Sequence, residues 1–170
     1  GQQFELQEYC PLGSLADLSD AGSLPLLEVV AELSAALAAL HGAGVVHQDL
    51  KPGNVLVRTR SPLDLVVCDF GVTKALEGSR RWSTGAGTAE YSPPEAGAGE
   101  VSPAWDWWSL GMMIAELVIG RHPLALPDGS MPSFHVIRSH LAQRDVDVSA
   151  ITDARVRLLC EGLLTRDSST

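Results

Sequence analysis

From Pro103 to Ile119 the chain carries Trp107, Trp108, Leu110, Met112, Met113, Ile114, Leu117 and Val118, so apolar side chains fall on nearly every side of a helix. A helix without a polar face has no side to offer to water, so it must run through the middle of the fold with the rest of the chain packed around it. Ser102 is a suitable cap, and Pro103 suits the first helical position because a missing N–H costs nothing there. Asp106 reads, by local rules, as a first-turn carboxylate that complements the helix dipole. The Trp pair reads as core packing rather than a ligand site, since aromatic side chains dominate core energetics.

Other segments have the periodicity needed to surround such a helix. Leu26, Val30, Leu33, Leu37 and Leu40 recur at three and four, the stripe of an amphipathic helix, and His41-Gly42-Ala43-Gly44 ends it. Val45-Val46 leads into a polar loop. Val55-Leu56-Val57 and Leu65-Val66-Val67-Cys68 read as two short strands around a Ser61-Pro62 turn, which sets Asp69 at a strand end. Pro123 and Pro127-Asp128-Gly129 mark a loop before helices expected at 133–143 and 153–164. The expected class is mainly α with a few short β strands, in a single domain over residues 1–170.

Composition removes several function classes. Twelve basic and 21 acidic residues give a net charge of −9, which argues against sequence-independent binding to nucleic acid. Cys10, Cys68 and Cys160 are scattered and odd in number, so neither a disulfide framework nor a zinc site is expected, and a reducing, cytoplasmic location is the default. The sequence has no signal-peptide pattern and no uninterrupted apolar run long enough to span a bilayer. Ten arginines against two lysines, with abundant Ala, Gly and Leu, hint at a GC-rich bacterial source. There is no internal repeat.

The chemistry is concentrated in His47-Gln48-Asp49-Leu50-Lys51-Pro52-Gly53-Asn54 and in Asp69-Phe70-Gly71. Two carboxylates and an amide in that order are what Mg2+-dependent phosphoryl transfer needs. The transferring group requires little covalent help, so catalysis is positioning plus neutralisation of charge on phosphate oxygens. One carboxylate receives the proton of the attacking hydroxyl, while a second carboxylate and a neutral amide hold hard Mg2+ through oxygen. Asp49, Asp69 and Asn54 can fill those posts, with Lys51 as a mobile positive charge. Taken singly, each piece has an ordinary reading: Asp-Phe-Gly is a common turn, and His47 could be a packed core histidine. The ordinary readings would have to coincide in sequence order.

These motifs resemble the catalytic loop and the DFG element of eukaryotic-type protein kinases in the bacterial-like Ser/Thr class, and the match continues in register. Gly87-Thr88-Ala89-Glu90-Tyr91-Ser92-Pro93-Pro94-Glu95 resembles the end of an activation segment, and Asp106-Trp107-Trp108-Ser109-Leu110-Gly111 the start of the helix that follows. Phe4 to Cys10, then Pro11-Leu12-Gly13-Ser14-Leu15, resembles the last N-lobe strand, the hinge and the first C-lobe helix. The resemblance implies a C-lobe: last N-lobe strand and hinge at 1–13, catalytic loop at 45–57, activation segment at 69–95, central buried helix at 103–119. It further implies ATP and Mg2+ as cofactors and a protein Ser/Thr hydroxyl as acceptor.

Residue by residue, it implies catalytic roles for Asp49 and Lys51 and metal-binding roles for Asn54 and Asp69. Gln7 would be the gatekeeper, the backbone of Glu8 and Cys10 would bind adenine, and Leu56 would lie beneath the base. Cys68 would precede the metal-binding Asp69, and Ser14 or Asp17 would face the ribose. Thr88 would bond to Lys51 and Asp49, as in Ser/Thr-specific members. His47, Gly71, Glu95 and Asp106 would be structural, Asp106 receiving backbone N–H groups from the catalytic loop.

Departures from the family pattern carry their own expectations. Gln48 stands where many kinases have the arginine that binds an activation-segment phosphate, so activity is expected not to depend strongly on phosphorylation at Ser83 or Thr84. Arg80-Arg81-Trp82 reads as a solvated loop, and Pro93 replaces a small residue. No glycine-rich loop precedes the hinge, and residues 1–50 hold neither Lys nor Arg, so the phosphate-anchoring lysine is missing. The chain therefore reads as a portion of a longer protein, whose N-lobe or flanking domains would be partners, with little activity alone; a naturally split kinase is the other reading. A pseudokinase scaffold and a kinase-fold small-molecule phosphotransferase are the competing functions, the latter disfavoured by the Gly87–Glu95 segment.

Overall fold

The computed structural model describes residues 8–18, 23–70, 74–75, 88–96 and 101–166. Its centre is the helix with no polar face, Ala104–Ile119, here α2, in which every residue from Trp105 to Ala115 except Trp107 is buried. The last turn departs from the expectation. Val118 is 38% exposed and Leu117 only half-buried, so α2 emerges from the core before Gly120 ends it at φ +77°. The start differs too: Pro103 occupies the cap position without a side-chain cap bond, and Ser102 contributes its carbonyl to the Trp105 N–H at 3.1 Å.

Helix α1, Leu26–Gly42, lies across α2 and the sheet. Its buried line is Val29, Leu33 and Leu37, one i, i+4 row, with Leu26, Val30 and Leu40 packed along its margins. The expected stripe shares Leu33 and Leu37 with this row but takes Val30 where Val29 is buried. The helix runs through His41 and Gly42, and Gly44, at φ +73°, closes it by donating its N–H to the His41 carbonyl at 2.9 Å.

After α1 comes β1, Val45–Val46, and then a single 3-10 turn, Pro52–Asn54, that leads into β2, Val55–Arg60. Strand β2 pairs antiparallel with β3, Leu63–Val67, around the Ser61-Pro62 turn. The register slips between Val57 and Thr59, which makes Arg58 the extra residue of a β-bulge. Strand β1 pairs antiparallel with β4, Lys74–Ala75, so the loop between β1 and the 3-10 turn is held at both ends.

Two further helices complete the described architecture: α3, Phe134–Gln143, and α4, Ala154–Leu163. Both agree with the expected positions within a residue. Asp153 caps α4, its carboxylate accepting the N–H groups of Arg155 and Val156. Helix α4 crosses α2 at Gly111, where an added Cβ would lie 2.9 Å from Leu163 Cβ. The main core joins α1, the β2–β3 hairpin, α2, Ile137 and Leu141 of α3, and Cys160 of α4, while Val46, Val101 and Trp105 form a second cluster.

One local expectation is corrected. Residues 14–17 form a single turn, with the Asp17 N–H on the Ser14 carbonyl at 3.0 Å, rather than the start of a helix. The readings of Phe4, Gln7, Gly71, Arg80, Arg81, Trp82, Ser83, Thr84 and Gly87 lie outside the described residues.

Candidate active site

The polar loop between β1 and β2 takes its shape from a carboxylate far along the chain. Asp106, fully buried in the first turn of α2, accepts the His47 N–H at 2.9 Å on Oδ2 and the Gln48 N–H at 2.8 Å on Oδ1. His41 Nε2, from the end of α1, meets the same Oδ2 at 2.8 Å, with its ring edge-on to Trp107 at 5.8 Å. The local dipole reading of Asp106 is thus the lesser part of its work. Gln48 sits at φ +71°, a left-handed conformation uncommon for a residue with a side chain, directly after the two successive N–H groups that Asp106 accepts.

His47 is fully buried and ties the loop to β3. Its Nε2 donates to the Cys68 carbonyl at 2.9 Å, while Nδ1 accepts the Asp49 N–H at 3.3 Å, so the network assigns the neutral tautomer protonated at Nε2. The ring lies 5.2 Å from that of Phe70. Both nitrogens are used in holding backbone.

Asp49 gathers the side chains around it. Its Oδ2 accepts from Lys51 Nζ at 2.9 Å and from Asn54 Nδ2 at 3.1 Å, and its Oδ1 accepts the Thr88 N–H at 2.7 Å. Lys51 Nζ also donates to Thr88 Oγ1 at 2.7 Å, closing a ring of three residues, Asp49, Lys51 and Thr88, to which Asn54 is attached through Asp49. Partial burial works against the Asp49 charge, but the Lys51 ammonium and the Thr88 N–H outweigh it and hold the carboxyl below its ordinary range. A carboxylate kept ionised at neutral pH, with an ammonium bonded beside it, results.

Asn54 donates its amide to both the Asp49 carbonyl, at 2.8 Å, and the Asp49 carboxylate, which directs the NH2 toward Asp49 and leaves Oδ1 as its oxygen ligand. The Asn54 carbonyl accepts the Cys68 N–H at 2.9 Å, so the residue before Asp69 is bonded to both His47 and Asn54. Asp69 itself is exposed and left-handed at φ +63°. An amide oxygen and a carboxylate, with no sulfur or imidazole among them, fit Mg2+.

On the other side of β2 lies the segment expected to meet the nucleotide base. Val57 donates its N–H to the Gly13 carbonyl at 2.9 Å and Leu15 its N–H to the Val55 carbonyl at 2.8 Å, which aligns residues 13–15 with half-buried Leu56. Cys10 is buried, its carbonyl accepting the Gly13 N–H at 3.1 Å. Glu8 is exposed and paired with Arg58 at 2.7 Å. Ser14 commits both its N–H and its hydroxyl to Asp17 Oδ2, leaving the exposed Asp17 as the outward member of that pair.

Residues 88–96 are fastened to two helices that sequence reasoning did not connect with them. The Tyr91 hydroxyl donates to Glu116 Oε2 at 2.5 Å, and burial with the Glu116 charge drives its pKa upward. Ser109 Oγ donates to the Tyr91 carbonyl at 2.9 Å. Arg138 of α3 donates to the carbonyls of Pro93, Pro94 and Ala96, and burial lowers its pKa against the pull of Glu95. Burial in turn pushes the half-buried Glu95 carboxyl up. An arginine on an amphipathic helix carries no sequence signal that its target is a set of carbonyls.

The structure therefore brings Asp49, Lys51, Asn54 and Thr88 into one network and joins Asp69 to it through the backbone of Cys68. Leu56 of β2 faces Ser14 across the strand's other edge, Glu8 reaches the same strand through Arg58, Cys10 is bonded to Gly13, and Glu95 stands apart near Arg138. The family model for the protein kinase domain matches residues 4–170. The chain belongs to the protein kinase domain family. Among relatives of this kinase chain, the serine/threonine-protein kinase drp72 of Corynebacterium efficiens is 33% identical over 171 residues, covering 96% of the chain and 32% of that protein. The serine/threonine-protein kinase PknA of Mycobacterium tuberculosis is 34% identical over 163 residues, 92% of the chain and 36% of that protein. Mitogen-activated protein kinase kinase 7 of Arabidopsis thaliana is 36% identical over 141 residues, 79% of the chain and 45% of that protein. The kinase chain thus spans about a third of the length of the two bacterial relatives. Among its described residues no helix is long and apolar enough to cross a membrane.

Proposed function

We propose that the full-length protein is a Ser/Thr protein kinase and that this chain supplies its catalytic lobe. The observation that carries the reading is the Asp49 carboxylate, held ionised by Lys51 and by the Thr88 N–H, with Asn54 bonded to the same oxygen as Lys51.

In this reading the acceptor Ser or Thr hydroxyl of a protein substrate lies against Asp49. As the hydroxyl oxygen forms its bond to the γ-phosphorus of ATP, its proton passes to the Asp49 carboxylate and the bond to the β-phosphate oxygen breaks, leaving ADP. Lys51, between Asp49 and Thr88, balances negative charge on the transferring group, and Thr88 Oγ1 fixes where that ammonium sits. Asn54 Oδ1 and the Asp69 carboxylate would hold Mg2+, which when bound neutralises phosphate charge. Glu8 and Cys10 would bind adenine through their backbone, with Leu56 beneath the base, Cys68 before the metal ligand and Asp17 toward the ribose. Because residues 1–50 hold neither Lys nor Arg, the lysine that anchors the phosphates has to come from outside this chain, and the isolated chain should transfer little phosphate.

Buried Gln48 offers an incoming phosphate no charge, which supports the reading that Ser83 and Thr84 need no modification for activity. The arginine-rich, lysine-poor composition and the scattered cysteines support a bacterial, cytoplasmic enzyme.

The test is transfer of labelled phosphate from ATP to a protein substrate by the full-length protein. Asp49→Asn should lower the rate by about 10²–10⁴, the usual worth of a general base, and leave nucleotide affinity nearly unchanged. Asp69→Asn should weaken Mg2+-ATP binding itself. Nucleotide binding without any transfer by the unaltered protein would turn the conclusion to a pseudokinase.

A further inference from the structure

Among the described residues, backbone pairing of the hinge segment with β2 begins at residues 13–15, through Gly13, Ser14 and Leu15. Glu8 lies well upstream of that pairing, yet it is joined to β2 by its side chain. Arg58 Nε donates to Glu8 Oε1 at 2.8 Å and Nη2 to Oε2 at 2.7 Å, a two-pronged fork in which both prongs are short. The remaining edge of the guanidinium is held from the neighbouring strand, Nη1 donating to the two Asp64 oxygens at 2.8 and 2.7 Å.

A second, independent feature puts Arg58 there. Val57 pairs with Leu65 and Thr59 with Asp64, so Arg58 is the residue left over in the bulge. A regular strand alternates its side chains between two faces, and a bulge is the device that redirects one of them. Without the slip, β2 would present its residues in strict alternation from Val55 onward.

We infer that Arg58 is a positioning residue of the nucleotide site: it fastens the hinge at Glu8 to the β2–β3 hairpin carrying Leu56, and so sets the spacing between the adenine-facing backbone and the side chain beneath the base. The inference rests on the kinase reading above. Arg58 belongs to neither the Asp49 network nor the metal ligands, so it acts on nucleotide affinity and not on the transfer step. Its partners are partly exposed, at 52% for Glu8 and 37% for Asp64, so water competes for the fork and the effect is modest. A lysine, a point charge on a flexible stem, could keep the attraction but not the two-nitrogen fork on Glu8.

The experiment measures ADP affinity by calorimetry, together with kcat, KM for ATP and KM for a peptide substrate, in the full-length protein. Arg58→Ala should raise Kd for ADP and KM for ATP about threefold to fivefold, the ceiling for exposed pairs, with kcat and peptide KM unaltered. Glu8→Ala should do the same, the double variant should lose no more than either single one, and Arg58→Lys should fall between. Thermal midpoints matching the unaltered protein would show that the loss is local. Unchanged ADP affinity in Arg58→Ala, or an equal loss in kcat and peptide KM, would overturn the inference while leaving the Asp49 assignment intact. Failure of the unaltered protein to bind ADP would overturn the kinase reading and this inference with it.

Discussion

Thr88 donates its backbone N–H to Asp49 Oδ1 at 2.7 Å while its hydroxyl accepts from Lys51 at the same distance, so one residue of the 88–96 segment touches both charged groups of the loop between β1 and β2. The two contacts are chemically separable, since a substitution can remove the hydroxyl and leave the N–H. Thr88→Ala should free the Lys51 ammonium from one of its two anchors and lower kcat about tenfold, the lower range for a hydrogen bond to a charged group. Thr88→Ser keeps the oxygen and should retain most of the rate. Steady-state kinetics of the full-length protein with a serine peptide check this, and an inert Thr88→Ala change would remove Thr88 from the site.

The depressed Asp49 carboxyl has a consequence for stability against pH. Its folded pKa lies below the unfolded one, so near the unfolded value the unfolded chain binds more protons and stability rises with pH. The contribution is complete above the ordinary carboxylate range, about pH 3.9 for Asp, and is lost as pH falls through the depressed folded value. The stability difference between the unaltered protein and Asp49→Asn should therefore be flat from neutral pH down to that range and shift against the unaltered protein below it. Urea unfolding across that interval gives the sign directly.

Asp106 should be among the least replaceable residues of the chain. Asp106→Ala strips the acceptor from the His47 and Gln48 N–H groups and from His41 while leaving them buried or half-buried. Removing one partner of a buried charged network costs about 3–5 kcal/mol, much of the stability of a domain this size. Chemical denaturation should show that loss, with Asp106→Asn the milder change because one oxygen survives.

Gly111 should tolerate no side chain. A Cβ there would lie 2.9 Å from Leu163 Cβ and 3.1 Å from the Leu164 side chain, where α2 and α4 cross. Alanine is the better helix former by about 1 kcal/mol, yet overpacking a fixed crossing costs about 1–3 kcal/mol, so Gly111→Ala should be destabilising on balance. Pairing it with Leu164→Ala, which removes the Cγ and Cδ2 that the new Cβ would meet at 3.1 Å, should cost less in denaturant midpoint than the two single changes summed.

Much of the fold was legible because it rests on short-range regularities. Helix α2 announced itself by lacking a polar face, and α3, α4 and the β2–β3 hairpin by periodicity and turn residues. The errors are those of local reading. In α1 the expected stripe holds Leu33 and Leu37 of the buried row but takes Val30 in place of Val29 and adds Leu26 and Leu40, which pack only at its margins. At Ser102, capping chemistry was expected of a residue whose carbonyl does the bonding instead. The helix start at Ser14 was expected from the family resemblance, whereas Ser14 closes on Asp17 in a single turn.

What the sequence determined by itself is the inventory of the site. Asp49, Lys51 and Asn54 fall within one short loop, and with Asp69 at a strand end they are the residue types that the proposed chemistry needs. Only the tertiary structure decided how that inventory is held: Thr88, 39 residues from Asp49, closes the Lys51 ring, and Asp106, more than 50 residues from the loop, carries its backbone. Arg58 meeting Glu8 and Arg138 meeting the 93–96 carbonyls belong with them. Helical and strand periods are properties of neighbouring residues, and they vanish over such separations. Contacts of this kind exist because burying α2 brings distant segments to the same place, and their partners are chosen by packing and hydrogen-bond satisfaction there.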